Sequence, residues 1–231
     1  MTSHELIDAH RLAAVGSLLA EPARAAIILA LMDGTSRPAS ELARRAGVAP
    51  ATASAHLRKL CDGRVLSVVP QGRHRYFRIA GEEAAHLVEA LSLMQSVTKP
   101  GDAARRFDTK LKQARTCYRH LAGRLGVAMF EAMSARGGFV VSPSAMALSS
   151  RGCDVLIDAG LLDAEDRADR LEGRPCVDWS ERRHHLAGAL GSLLTQRLFE
   201  RGWLRKRRDS RAVIVSVKGE QAFDALGVRL D

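Results

Sequence analysis

The chain is expected to be mainly α-helical with small β-hairpins, and three observations predict this. Hydrophobic residues make up 46% of the 231 positions but aromatics only 4%, so the core must come from Ala, Leu and Val, which favours helices. Apolar residues recur three and four positions apart along much of the chain, the period of a helix face. Residues 34–80 run as short helix, glycine, proline-started helix and cationic hairpin.

Residues 6–32 predict two helices broken at Glu21-Pro22. The first carries Leu6, Leu12, Val15, Leu18 and Leu19 on one side; the second carries Ile27, Ile28, Leu31 and Met32. The stretch from Ala39 then stops at Gly47, and Pro50 restarts a helix through Leu60. Proline suits a first helical turn because its missing N–H has no intrahelical partner there. Leu57 and Leu60 face inward, which leaves Thr52, Ser54, His56 and Arg58 outward. Small polar residues, an imidazole and a cation on a second helix are what a major-groove reader needs. The hairpin that follows has the tip Gln71-Gly72-Arg73-His74-Arg75. It reads as a wing, with Lys59, Arg73, His74 and Arg75 placed for phosphates or the minor groove. An ordinary helical hairpin with a solvated loop is the plainer alternative.

Gly81-Glu82-Glu83 opens a further helix, with Leu87, Val88, Leu91 and Met94 in a stripe. Together with the first helix it offers a dimer surface. The pattern breaks at Thr98-Lys99-Pro100-Gly101-Asp102. Residues 1–98 are therefore expected to be a winged helix-turn-helix DNA-binding and dimerisation domain, and 103–231 a C-terminal signal-sensing domain.

That second domain is predicted to be helical, ending in a second winged-helix-like unit. Phe107, Leu111, Ala114, Tyr118, Leu121 and Leu125 predict a helix over 105–125, and Leu186 to Leu198 predict one over 180–201. Gly137-Gly138 and Ser142-Pro143 look loop-like, Val155-Leu156-Ile157 fits helix or strand, and 212–217 reads as a strand. Two internal echoes stand out. Residues 198–220 repeat the helix, glycine, hairpin and Gly-Glu order of 60–82. His120-Leu121-Ala122-Gly123-Arg124-Leu125-Gly126 returns as His185-Leu186-Ala187-Gly188-Ala189-Leu190-Gly191. The small residues Ala122, Gly126, Ala187 and Gly191 suggest two helices crossing there, with His120 near His185. Cys117, His120, Cys176 and His185 would then form a Cys2His2 set suited to Zn²⁺ or Cd²⁺, or through a thiolate pair to arsenite. A packed domain with a buried thiol and two hydrogen-bonded imidazoles is the alternative, as is an organic ligand. No oxyanion-hole motif accompanies the Cys/His pair, so a non-enzyme is expected.

The net charge is +9, which points to a polyanion, with nucleic acid before anionic membrane. No apolar run approaches the roughly 20 residues of a bilayer span, and the first residues lack a signal-peptide pattern. A cytoplasmic protein is expected, with no membrane partner. Four scattered cysteines, Cys61, Cys117, Cys153 and Cys176, do not form a disulfide scaffold; Cys61 reads as a core filler.

The first hundred residues resemble the ArsR family of bacterial winged-helix repressors. Glu21-Pro22-Ala23-Arg24, Ser40-Glu41-Leu42-Ala43, Ser54-x-His56-Leu57-x-x-Leu60 and Arg73-x-Arg75-Tyr76 carry the resemblance, in that order and spacing. It implies a homodimer on operator DNA, released by a metal, metalloid, redox or small-molecule signal. Where the family has Leu-Cys-x-Cys, this chain has Leu42-Ala43-Arg44-Arg45, and only His86 and Glu89 match the family's site on the last dimer helix. The C-terminal half has no counterpart in most members. A thiol- or metal-dependent enzyme on a helix-turn-helix scaffold and a non-specific nucleoid protein are the rival readings.

Overall fold

The computed structural model describes residues 9–72, 74–94, 109–142, 145–166, 168–207 and 210–229. Leu6, Arg73, the expected break at 98–102 and Phe107 lie outside the described residues, as does the side chain of Met94. Two compact units divide the chain, residues 1–85 and 86–231.

Unit 1 starts with α1 (Ala9–Leu19) and α2 (Pro22–Leu31), then β1 (Arg37–Pro38), α3 (Ala39–Ala46), α4 (Pro50–Asp62), β2 (Leu66–Gln71) and β3 (His74–Ile79). The chain passes into unit 2 within α5 (Glu82–Met94). Glu21 caps α2 by accepting from the Arg24 N–H at 3.1 Å, and Pro22 fills the first turn. The guanidinium of Arg24 donates to the Leu18 and Ser17 carbonyls, both at 2.7 Å, and so fixes the end of α1. Between α3 and α4 the chain turns at Gly47, whose φ of 65° is left-handed; glycine reaches that region without a Cβ clash. Ile27, Ile28, Leu31, Leu42, Leu57, Leu60 and Ile79 close the core beneath a sheet of order β1-β3-β2.

Unit 2 is a tandem repeat. Its first copy contains β4 (Arg115–Cys117), β5 (His120–Ala122), α6 (Arg124–Ala135), β6 (Phe139–Val141), β7 (Met146–Leu148) and α7 (Ser150–Asp158). Its second copy contains β8 (Gly173–Val177), β9 (His184–Ala187), α8 (Gly188–Glu200), β10 (Leu204–Arg207), β11 (Ser210–Val215) and α9 (Val217–Ala225). The copies share their hydrogen bonds. Gly138 N–H donates to Met133 O and Trp203 N–H to Leu198 O, both at 2.9 Å. Ser149 and Ser216 each cap the next helix by accepting from the N–H three residues on. The same helix, left-handed turn and hairpin occur in unit 1, where Arg64 takes the positive φ and Val65 N–H donates to Leu60 O at 2.9 Å. The two copies also interlock. The hairpin β4-β5 joins the hairpin of the second copy in a sheet of order β10-β11-β4-β5, while β8-β9 joins that of the first in β6-β7-β8-β9.

This arrangement corrects three expectations. The helix predicted over 105–125 is broken: among its described residues 109–113 are helical, the chain then forms β4 and β5, and only Arg124 and Leu125 are helical again, as the start of α6. Every residue of both strands is buried, so no polar alternation marks them and their apolar spacing imitates a helix face. The helix predicted over 180–201 starts at Gly188, after β9. The echoed segments are therefore strand-to-helix corners and not crossing helices. The strands β6 and β7 and the helix α7 are an earlier copy of the hairpin and helix read only in the tail, and Val155-Leu156-Ile157, which fitted helix or strand, is helical.

The small residues of the echo do admit a partner. A Cβ on Gly191 would sit 2.5 Å from the Leu186 carbonyl oxygen and 3.5 Å from the Cβ of His120; one on Gly126 would meet Leu121 O at 2.5 Å and the Cβ of His185 at 3.5 Å. Each corner thus presses on the other copy's histidine. Gly126→Ala and Gly191→Ala should each cost about 1–3 kcal/mol through overpacking, and nearly equally. Urea unfolding followed by fluorescence reads this out, since both tryptophans, Trp179 and Trp203, belong to unit 2.

Candidate DNA-reading face and Cys/His centre

In unit 1, α4 leaves Thr52, Ser54, Arg58 and Lys59 exposed while Ala53, Leu57 and Leu60 are buried. The Ser54 hydroxyl donates back to Pro50 O at 2.9 Å. His56 is half-buried, with Nε2 3.5 Å from Glu21 Oε2. Burial pushes the Glu21 carboxyl up, but N–H donors from Arg24 and Ala23 and the charge of His56 bring it below the usual range. The wing pairs β2 with β3 from Leu66↔Ile79 to Gln71↔His74. Its tip turns at Gly72, with φ 59°. His74 and Arg75 are exposed, and the Arg75 guanidinium lies 5.9 Å from the Phe77 ring centre.

In unit 2, the two interlocked hairpins carry the same pair of residues at the same register. Cys117 stands opposite His120, and Cys176 opposite His185. The donor atoms of Cys117, Cys176 and His185 lie within 4.8 Å of one another. The His120 ring is 6.0 Å from that of His185. Cys117, His120 and His185 are fully buried, and Cys176 is 8% exposed. Neither cysteine is in a disulfide. The four residues expected to converge share one neighbourhood, with the donor atoms of three of them within 4.8 Å of one another and His120 beside them.

A buried charge network surrounds this centre. Arg115 Nη2 donates to Asp178 Oδ2 at 2.8 Å, and Nη1 to Leu111 O at 3.1 Å and Ser180 Oγ at 3.2 Å. Its guanidinium lies 4.7 Å from the Trp179 ring centre. Asp178 also accepts from the N–H groups of Gly123, Ser180 and Glu181, and its Oδ2 is 3.7 Å from His185 Nδ1. Burial pushes the Asp178 carboxyl up, but Arg115, Ser180 and Gly123 outweigh it and hold it at about 2. The hydrogen bond with Cys176, then burial, pushes the Cys117 thiol up to about 12 against the opposing pull of the two imidazoles. Buried Glu89 of α5 pairs with Arg211 and lies 3.8 Å from Arg115; Arg174 Nη2 donates to His86 Nδ1 at 3.2 Å. Arg115, Asp178 and Trp179 were not anticipated as site residues. The one signal for Arg115 was Arg-x-Cys preceding each Cys/His turn, as Arg115-Thr116-Cys117 and Arg174-Pro175-Cys176.

A family model described as a helix-turn-helix domain matches residues 19–69. A Bacillus subtilis (strain 168) protein described as an uncharacterized HTH-type transcriptional regulator, YdfF, is 39% identical over 215 residues, which span 92% of this chain and 95% of the relative. The chain is a helix-turn-helix transcriptional regulator. Among solved structures, the homodimeric winged helix-turn-helix DNA-binding domain of a possible ArsR-family regulator from Mycobacterium bovis is 30% identical, with a TM-score of 0.36, and covers 42% of this regulator and 91% of that chain. A cadmium metal-sensor from Mycobacterium tuberculosis is 33% identical, with a TM-score of 0.31, and covers 39% and 92%. Among the described residues of the regulator, no single helix is long and apolar enough to cross a membrane.

Proposed function

We propose that this regulator is a homodimeric, cytoplasmic repressor and not an enzyme, released from operator DNA when its Cys/His centre receives a signal. The observation that carries this is the approach of Cys117, Cys176 and His185 to within 4.8 Å inside unit 2. Tetrahedral ligation with bonds of about 2.0–2.3 Å spaces donors roughly 3.3–3.8 Å apart, so a contraction of the two hairpins would close the set around Zn²⁺ or Cd²⁺, with His120 as fourth ligand. Arsenite would use the two thiols, and their oxidation is the redox variant of the same signal. A bound ion would draw together strands from both copies of the repeat. Arg115 ties that neighbourhood to Asp178 and Glu89. Glu89 lies on α5, the helix within which the chain leaves unit 1.

On the DNA side, Thr52, Ser54, Arg58 and, if it leaves Glu21, His56 would face base edges. Lys59, Arg73, His74 and Arg75 would meet phosphates. Support for a homodimer comes from apolar side chains left uncovered on α1 and α5: Leu12 is 65% exposed, Val15 37% and Leu91 39%. Arg75→Ala should weaken binding to all duplexes and lower the salt slope by about 1, whereas Thr52→Ala should re-rank operator variants by about 1 kcal/mol. Fluorescence anisotropy over a salt series measures both. Wild-type affinity and slope in Arg75→Ala would remove the wing from the interface.

A further inference from the structure

We infer that the C-terminal hairpin β10-β11 is a second DNA-contacting wing, binding the phosphate backbone of the duplex. The inference rests on the DNA-binding reading above. Three observations carry it.

The first is where the charge sits. Residues 1–85 hold 11 Lys or Arg against 8 Asp or Glu, whereas residues 86–231 hold 24 against 18. Most of the net positive charge therefore belongs to unit 2, outside the helix-turn-helix. The second is how that charge is neutralised. Arg115, Arg183, Arg197, Arg201 and Arg211 all face carboxylates. By contrast Arg205, Lys206 and Arg207 of β10 are exposed and face no carboxylate among the described residues. Lys206 Nζ instead lies 5.4 Å from the Phe199 ring centre.

The third observation is an internal control. The hairpin β6-β7 is built on the same helix, left-handed glycine turn and hairpin, at Gly137 in one copy and Gly202 in the other. Its sequence from Phe139 to Leu148 has no charged residue, whereas Arg205 to Arg211 holds five cations and one acid. The module folds without cations, so those on β10 are not a structural requirement. In unit 1 the same module is the wing that follows α4, again with a cationic tip. Arg205 and Arg207 stand on an edge strand, where two long side chains can reach successive phosphates.

The test uses the full chain and its operator duplex with long random flanks. Arg205→Gln/Lys206→Gln/Arg207→Gln is compared with Arg151→Gln/Arg170→Gln/Lys218→Gln, which removes as many exposed charges elsewhere in unit 2. Losing two phosphate contacts should lower the slope of log affinity against log salt by about 2, with operator preference unchanged. Raising salt from 50 to 200 mM should then cost the wild type about tenfold more affinity than the hairpin variant. Wild-type slope in the hairpin variant overturns the inference, as does an equal fall in the control. If Arg75→Ala still weakens binding in that case, the helix-turn-helix reading stands without the second wing. Loss of binding to single-stranded RNA or anionic vesicles, with duplex binding intact, also overturns it. Tryptophan fluorescence checks folding, and Arg207→Gln alone, with an expected slope change of about 1, serves should the triple variant misfold.

Discussion

Asp178→Ala is expected to destabilise unit 2 by about 3–5 kcal/mol, the usual cost of removing one partner from a buried ion pair. The carboxylate is fully buried and holds Arg115 together with the N–H groups that turn the chain at Gly123 and after Asp178. Without it, a fully buried guanidinium keeps, among the described residues, only Glu89 at 3.8 Å as an opposite charge. Urea unfolding read from Trp179 and Trp203 should show the loss, and Arg115→Met in the Asp178→Leu background should restore much of it. A change below about 1 kcal/mol would mean the network is solvated. The pH dependence has a fixed sign. The Asp178 carboxyl is held at about 2 in the folded chain, below its ordinary 3.8. It therefore contributes about 2 kcal/mol above pH 4, which is lost as pH falls towards 2. Asp178→Ala should flatten that acid limb, measured with a chelator present.

What the sequence disclosed follows from how local each signal is. Gly47, Pro50, the inward Leu57 and Leu60 and the alternating hairpin after them are short-range features, and the winged helix-turn-helix forms where they predict it. The strands β4 and β5 are three residues each and buried throughout, so they carry no alternation to read. The approach of His120 to His185 was legible for a reason other than the one that holds. The echo does mark a repeated contact, but the contact is made by hairpin corners against Gly126 and Gly191. Arg115 and Asp178, 63 positions apart, pair through topology alone. The repeat of 137–160 in 202–227 lies in matching backbone hydrogen bonds, while the side chains have diverged.

The second large effect is on the centre itself. Each ligating thiol gives up its proton, and Cys117 holds its own up to about 12, so Cd²⁺ affinity should rise by up to about tenfold per pH unit for each proton released. Outer partners of a metal site alone are worth ~10–100-fold in affinity. Cys117→Ser and Cys176→Ser should therefore each weaken Cd²⁺ by more than about 100-fold, read from the thiolate-to-metal absorbance, and each should flatten the pH dependence. His120→Ala should cost less than either. A Cys117→Ser variant with wild-type Cd²⁺ affinity would place the ion elsewhere.

Operator affinity of the full chain, measured with and without Cd²⁺, Zn²⁺ or arsenite, tests the link between centre and DNA most directly. At least one of the three should lower wild-type affinity tenfold or more, a coupling of about 1.4 kcal/mol. The ion-free Cys117→Ser variant should bind operator as the wild type does and ignore the added ion. Unchanged wild-type affinity with all three, or a Cys117→Ser response equal to that of the wild type, would contradict the account.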